Sequence, residues 1–388
     1  MSASELRVER IATMDALRGI GDEWTALSAR VDDALPFTTH EWALSWWRHL
    51  RRESTWARDS LEVHAIRTAG GELVAIAPMM LTERPAVRGA PRLRMLQFFG
   101  TDPNLTEVRT MLVSRDWESA AVRALGAHLA RRANEWDWVQ WCGLRREGDA
   151  LAAAQANGGA QVNKVTSAFI LPLAPSWSEF HRGLGRNMKE SLRKCYNSLK
   201  RDGLSWQFDV IETSDELPNV LEELFQLHHQ RAETAGTVRH ANVFATAEAR
   251  RFTHEVCAAL AARRAARVYR LRVEGCTVAL RIGFVTGRRL HLYYSGYDPQ
   301  YGKYSVMTTT VAEAFKHAID EGIDSVNLST GADVSKMRWH PTEVEYLDAV
   351  SLSPRIRARL TYRAFVIAAE VRQARRMGRP ILQSMRRG

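Results

Sequence analysis

RLHLYYSGYDPQYGKYSVMTTTVAEAFKHAIDEGIDSVNLSTG, from Arg289 to Gly331, is the stretch on which the reading of this chain turns. Its first residues alternate and are rich in aromatics, the pattern of a half-buried strand. Gly-Tyr-Asp-Pro is turn chemistry, because Gly is free to take positive φ and Pro presets its own. The spacing then becomes helical, with Val311, Ala314, Phe315, Ala318 and Ile319 on one face, Ser305 available as a cap and Gly322 as a stop. A second strand follows. A helix that opens just after a strand presents free backbone N–H groups, which suit a phosphate. The turn is therefore the first place to look for a ligand.

The chain carries this pattern twice. Leu96-Gln-Phe-Phe-Gly-Thr-Asp-Pro-Asn-Leu matches Leu292-Tyr-Tyr-Ser-Gly-Tyr-Asp-Pro-Gln-Tyr, and Trp136-Asp-Trp-Val-Gln-Trp parallels Ile323-Asp-Ser-Val-Asn-Leu. Upstream, the hairpin from Val63 to Leu81 parallels the one from Val268 to Val285. Three likenesses in the same order suggest two copies of one αβ unit. The length of 388 residues accommodates two cores.

Composition narrows the function classes. The apolar content of 45% is that of an ordinary folded protein. Cys142, Cys195, Cys257 and Cys276 are scattered without CxxC spacing, and no HExxH occurs, so no metal is expected. The charged N-terminus lacks the apolar run of a signal peptide, and no stretch approaches the roughly 20 apolar residues of a membrane span, so the expected location is cytoplasmic. Of the net charge of +10, nearly all sits in the tail after Ser353, where ten Arg face one Glu. No helix-turn-helix, zinc finger or RNP-like motif accompanies that charge, and no specific nucleic-acid partner is expected.

Along the chain, Met14 to Arg30 reads as a first helix. Thr38 or Thr39 then caps a helix whose Trp42, Trp46 and Trp47 share a core-facing side. Strands are expected near Leu61–Arg67, Leu73–Leu81, Arg92–Phe98 and Glu107–Val113, before a helix over Trp117–Asn134. Trp177 to Gly203 is a basic helical segment with Arg186, Lys189, Arg193 and Lys200 on one face, either solvated or turned toward an anion. A long helix beginning near Ser214 places His228 and Arg231 on one face.

At this point the pieces resemble a known family. LFQLHHQRAETAG (Leu224–Gly236), the Gly-divided hairpin at Val268–Val285, LHLYYSGYDPQYGKYSV (Leu290–Val306) and GADVSKMRWHP (Gly331–Pro341) are together similar to the GNAT acyltransferase superfamily. The likeness is to its BioF2-like or CelD-like, FemAB-related branch, which carries two GNAT units in tandem. The last motif is similar to that branch's Gly-x4-Lys-x2-Trp ending. The resemblance implies an α/β fold with mixed sheets, in an N-terminal GNAT-like domain (1–165), a C-terminal acyltransferase domain (166–352) and a basic helical tail (353–388). It also implies acetyl-CoA as acyl donor, with the thioester beside the central strand at Tyr293 and the pyrophosphate at Gly302, Lys303, Tyr304, Ser305 and Thr308. The usual GNAT phosphate loop, Arg/Gln-x-x-Gly-x-Gly/Ala, is absent, and Gln300-Tyr-Gly-Lys-Tyr-Ser is a loose substitute.

Acyl transfer needs a proton acceptor for the attacking amine or hydroxyl, donors for the thioester carbonyl and a proton for the thiolate. The candidates are Tyr294, Tyr297, Asp298 and His228 for acid–base work, and Lys336, which matches the family's Lys, for an oxyanion or an anionic acceptor. Arg231, Asn327, Arg186 and Trp339 are the candidates for holding the acceptor. Each has a structural alternative: strand packing for the tyrosines, turn building for Asp298, a core hydrogen bond for His228 and edge capping for Asn327. In the tail, Leu360, Ala364, Ile367, Ala368 and Val371 form an apolar stripe flanked by Arg, which suits an anionic membrane surface or docking on the chain's own domain. The resemblance implies acylation of a sugar, polysaccharide or cell-envelope precursor. The alternatives are a FemAB-like aminoacyl-tRNA-dependent transferase, whose usual helical arm is not evident, and a non-catalytic membrane-associated scaffold.

Overall fold

The structure, a computed structural model, describes residues 6–85, 92–102, 104–156, 159–233 and 241–376. The first half supplies β1 (Leu6–Ile11), β2 (Arg58–Leu61), β3 (Val63–Thr68), β4 (Leu73–Ala77), β5 (Met79–Pro85), β6 (Arg92–Phe98), β7 (Leu112–Val113) and β8 (Trp138–Arg145). After β9 (Gln161–Pro172), the second half supplies β10 (Trp206–Ile211), β11 (Ala266–Val273), β12 (Cys276–Thr286), β13 (Arg289–Tyr297) and β14 (Ser325–Thr330). β15 (Thr342–Leu352) closes the series. This is a mixed α/β fold with two sheets. The smaller has the order β1-β3-β4-β7, and the larger runs β10-β11-β12-β13-β14-β9-β15-β8-β6-β5-β2 through both halves.

The middle of the large sheet explains why the halves form one body. β9 leaves the first half and pairs with β14, while β15 leaves the second half and pairs with β8. The two crossing strands pair with each other over most of their length. Each half thus completes the other's sheet, and neither β8 nor β14 is left as an open edge. The join expected at residue 165 falls inside β9, a strand that belongs to both halves.

Helices cover the sheet where the apolar periodicity asked for them. Arg115–Arg131 packs on β1, β3 and β4, and Val306–Asp320 on β11, β12 and the start of β13. His40–Leu50, capped by Thr39, buries Trp42, Trp46 and Trp47 and meets the helix Ala247–Ala261 of the second half. Trp42 lies edge-on to Phe252, Phe284 and Tyr293, so a first-half helix is seated in the second-half core.

Three expectations change. The strand expected over Leu73–Leu81 divides at Pro78 into β4 and β5, which join different sheets. The helix expected from Met14 to Arg30 is broken at Ile20 into Met14–Gly19 and Gly21–Arg30. The strand expected over Glu107–Val113 shrinks to Leu112–Val113, because Asp102 accepts from Leu105 N at 2.5 Å and Thr106 N at 3.0 Å and coils the segment before it can extend.

The tail forms the helix Ile356–Arg376; the break expected near Gly378 lies outside the described residues. Its Tyr362 and Phe365 dock on Trp138 with ring centroids 5.4 and 5.2 Å apart. Ile356, Leu360 and Ile367 face outward. No helix among the described residues is long and apolar enough to cross a membrane.

One buried group gives the first half a pH dependence. His64 on β3 is fully buried and neither ring nitrogen has a hydrogen-bond partner. Burial foremost, then the neighbouring His128, Arg132 and Arg10, push its pKa down to about 3. The unfolded chain, titrating near 6.5, binds a proton that the folded chain refuses between those values. The group's contribution is therefore complete above about pH 6.5 and is lost as pH falls toward 3. His64→Leu is expected to remove on the order of 3 kcal/mol of the stability loss between pH 6.5 and 4. Urea midpoints over that range measure it, and an unchanged pH slope would refute the assignment.

Candidate active site

The halves enclose a cavity of about 1090 Å³, and β13 determines where it lies. β13 pairs in parallel with β14 only from Arg289–His291 to Ser325–Asn327, and the two strands then part. On its other side the register passes from Gly283↔Leu292 to Arg281↔Ser295, so Tyr293 and Tyr294 together oppose Ile282. Such a bulge leaves one residue outside the ladder and re-aims its neighbours. The Tyr294 hydroxyl donates to Asn104 O at 2.6 Å and that of Tyr293 to Leu105 O, which ties the bulge to the first half. The turn that receives them is held in place by tryptophans. Trp46 Nε1 donates to Asp102 at 2.8 Å and Trp42 Nε1 to Thr106 Oγ1 at 3.2 Å.

Arg231, Arg281 and Lys336 bring positive charge to the second-half wall. Arg281 stands beside the bulge; its Nε has no hydrogen-bond partner, and burial pushes its pKa down to about 10, which leaves it charged at neutral pH. The Arg231 guanidinium lies 5.4 Å from the ring centroid of Tyr297, and burial lowers its pKa as well. Lys336 Nζ donates to Thr330 O at 2.6 Å and Gly331 O at 3.0 Å, with Asp333 at 3.4 Å. Burial is the largest influence on it and lowers its pKa.

The first half contributes a carboxylate. Glu107 accepts from Ser329 Oγ at 2.6 Å and lies 3.0 Å from His291 Nε2. Its side chain is 7% exposed, yet it borders the cavity. Ser329 is held in a left-handed conformation (φ 75°) because Asn327 Oδ1 accepts its N–H at 2.8 Å.

The start of the helix Val306–Asp320 forms the remaining wall. Gly302 and Ser305 are one turn apart in the 3₁₀ segment Pro299–Tyr304 and its cap, so both face the cavity, with Thr308 beyond them. Ser305 does not cap through its side chain; it adopts φ 55° and its carbonyl accepts from Thr308 N at 2.8 Å. Arg338 donates to Thr308 Oγ1 at 2.5 Å, adding a cation beside the helix start.

The sequence-derived candidates thus divide. Tyr293, Tyr294, Tyr297, His228, Arg231, Lys336, Gly302, Ser305 and Thr308 line the cavity. Lys303 and Tyr304 do not: Lys303 is exposed with Nζ 4.7 Å from the Tyr304 ring, and Tyr304 is buried and donates to Asp202 at 2.9 Å. A 3₁₀ turn places one residue in three on a given side, and these two are on the wrong sides. Asp298 builds its turn by accepting from Gln300 N at 2.9 Å. Asn327 is buried behind Ser329, Arg186 is exposed and paired with Glu190 at 3.0 Å, and Trp339 packs on Phe180 and Phe315 in the core. His228 reaches the wall, but Nδ1 faces Ser295 O at 2.8 Å and Nε2 faces Ala241 O at 3.2 Å. With both nitrogens on carbonyls it has no free lone pair for a substrate proton. Arg281, Glu107 and Arg338 were not anticipated.

Among the described residues, Glu212, His317 and Glu321 come close enough to share an ion. Arg267 takes that place, pairing with Glu321 and lying 3.3 Å from Glu212. The cluster is an ion-pair knot.

The parted strands, the bulge and the helix start on the cavity all fall within residues 186–338, and that stretch matches the family model described as an acetyltransferase (GNAT) domain. Residues 186–338 are thus similar to a GNAT domain. No curated protein matches the chain. FemX covers 87% of this chain and 96% of its own, at 12% identity and a TM-score of 0.57. The C-terminal domain of a protein designated lysylphosphatidylglycerol synthetase from Agrobacterium fabrum covers 90% and 97%, at 14% identity and 0.51. A conserved protein of unknown function from Bacteroides thetaiotaomicron covers 89% and 100%, at 14% and 0.52. At these identities the likeness is one of fold, and it extends over both halves.

Four carboxylates (Asp102, Glu107, Asp333 and Glu343), five cations (Arg109, Lys164, Arg231, Arg281 and Lys336) and a helix start thus line one space.

Proposed function

We propose that the chain transfers an acyl group, acetyl first among candidates, from coenzyme A to an amine or hydroxyl by direct attack. The observation that carries this reading is the parting of β13 and β14 over a helix start lined by Gly302, Ser305 and Thr308. The helix start suits the donor's pyrophosphate, with small residues admitting close approach and Arg338 adding charge. The gap between the strands suits the thioester arm. The attacking nitrogen or oxygen bonds to the acyl carbon, the C–S bond breaks, and the nucleophile's proton passes to Glu107. Arg281 and Lys336 face the developing oxyanion. Because Tyr293 and Tyr294 are held by carbonyls, Tyr297 is the hydroxyl left to protonate the thiolate.

The acceptor we assign is a sugar, polysaccharide or cell-envelope precursor, in keeping with the size and polarity of the cavity. Release of free thiol from acetyl-CoA, screened against amino sugars and glycan acceptors, tests the reading. Acceptor-dependent release supports it, and no release from any acyl-CoA overturns it. A second reading, aminoacyl transfer, is favoured by the fold shared with FemX and the lysylphosphatidylglycerol synthetase domain. Against tRNA as donor, Trp177–Gly183 and Arg186–Arg201 fold back on the helix Val306–Asp320 and form no long arm.

The outer face of the tail supports work at an anionic membrane surface. Ile356, Leu360 and Ile367 are 76%, 60% and 50% exposed, with arginines between them. Apolar residues flanked by cations suit that interface. Sedimentation with phosphatidylglycerol vesicles is expected to weaken by about tenfold or more when the three are changed to Ser. Equal sedimentation with neutral and anionic vesicles rejects the membrane role.

A further inference from the structure

A second groove, of about 450 Å³, runs between the tail helix and the face of β6 and β8. It shares Thr101, Arg109 and Lys164 with the cavity, so the two spaces meet at a neck. Its floor follows from strand alternation: Met95 and Gln97 on β6, and Trp138 and Gln140 on β8, point to one side. Tyr362 and Phe365 roof it. Arg52, Arg84, Arg109 and Lys164 border it against one carboxylate, Asp348. That carboxylate is already engaged, accepting from Gly143 N at 3.0 Å and lying 3.7 Å from Arg109. Arg84 lies 4.9 Å over the Phe365 ring, and Lys164 is exposed at the neck.

We propose that this groove is a second subsite, which holds the phosphate-bearing end of an elongated acceptor while the other end reaches the cavity. This rests on reading the cavity as the site of transfer. The reason is charge and shape together. Four cations around one satisfied carboxylate attract a polyanion, and phosphate oxygens accept the forked N–H groups of arginine. Amide side chains and aromatic rings on the floor and roof suit the less charged part of the same molecule. The tail helix makes the groove, because without Tyr362 and Phe365 the floor is an open sheet face. One helix thus has two tasks: its inner side closes the subsite, and its outer side carries the exposed apolar residues.

Hydrogen exchange on the full chain tests this with sodium pyrophosphate as probe, against sodium chloride of equal ionic strength. Pyrophosphate is expected to slow exchange over residues 358–366. Lys164→Glu and Arg84→Glu are each expected to raise the concentration needed by about tenfold, as for the loss of one charge-assisted contact. Arg281→Ala, on the cavity wall, is expected to leave it within about twofold. Lys164 is exposed, so its variant remains informative if Arg84→Glu loosens the tail. No slowing over 358–366, equal slowing by chloride, or slowing unaffected by both charge reversals overturns the subsite. Acetyl-CoA run in parallel separates the two ideas. A response at 302–308 without one at 358–366 removes the groove and keeps the transfer site. A pyrophosphate response at 358–366 with none to acetyl-CoA keeps the groove and removes the proposed donor.

Discussion

Glu107→Gln is expected to lower kcat for acyl transfer by about 10²–10⁴-fold while leaving the fold intact, the usual consequence of removing a positioned proton acceptor. The carboxylate borders the cavity from the first half, and its two oxygens take Ser329 Oγ at 2.6 Å and His291 Nε2 at 3.0 Å. Those bonds use one lone pair on each oxygen and fix the group's direction, so a lone pair remains for the nucleophile's proton. An amide of the same shape keeps one acceptor oxygen and most of the packing, and the stability cost should stay near 1–2 kcal/mol. Lys336→Met should also lower kcat, by about 10²–10³-fold, through lost charge at the oxyanion. The two are distinguished by an added small base such as imidazole, which is expected to restore part of the rate of Glu107→Gln and none of that of Lys336→Met. Steady-state kinetics with an acceptor from the thiol-release screen measures both. A Glu107→Gln enzyme with undiminished kcat would show that the proton goes elsewhere.

The second large effect is on stability. Gly296→Val is expected to destabilise the chain by about 3 kcal/mol or more. A Cβ at Gly296 would stand 2.6 Å from His228 N, 2.8 Å from Leu227 Cβ and 2.9 Å from Leu224 O. Two of those three atoms are backbone of the helix Leu217–Glu233, which cannot step aside without lifting from β13. That helix carries His228 and Arg231, so the damage extends to the cavity wall. His228 serves there as a tie, with its Nδ1 on Ser295 O and its ring edge-on to Tyr294. Gly302→Ala is the control. A Cβ there meets nothing within 4 Å, so stability should be unchanged within about 0.5 kcal/mol. Donor binding should nonetheless weaken if backbone approach at the helix start matters. Denaturant melts of both variants decide, and equal loss in both would refute the close-packing explanation.

The order of elements was legible because it rests on local rules. Alternation marked β13 and helical spacing marked Val306–Asp320, but the turn expected to open at Gly296 begins only at Asp298, because Gly296 and Tyr297 stay paired in β13 with Leu280 and Ala279. The site was legible only where local structure fixes a side chain's direction. Gly302 and Ser305 could be placed, but the rotation of a 3₁₀ turn, which sends Lys303 into solvent and Tyr304 into the core, has no signature in GKYS. Arg281 did leave a signal: a lone cation between Leu280 and Ile282 in an apolar central strand must be paired or put to use. Glu107 left none. It sits in a coiled segment of one half and meets His291 and Ser329, 184 and 222 residues away, and no local pattern encodes such a meeting. The exchange of β9 and β15 was hidden for the same reason, since either strand reads equally well as the edge of its own half.

Calorimetric titration of acetyl-CoA into the wild type, Arg281→Ala and Lys303→Glu tests the central claim most directly. Micromolar binding to the wild type is expected, with a loss of about tenfold or more in Arg281→Ala and Lys303→Glu within about twofold, because that side chain lies outside the cavity. Absence of binding, or a loss in Lys303→Glu as large as in Arg281→Ala, would contradict a donor site between the parted strands.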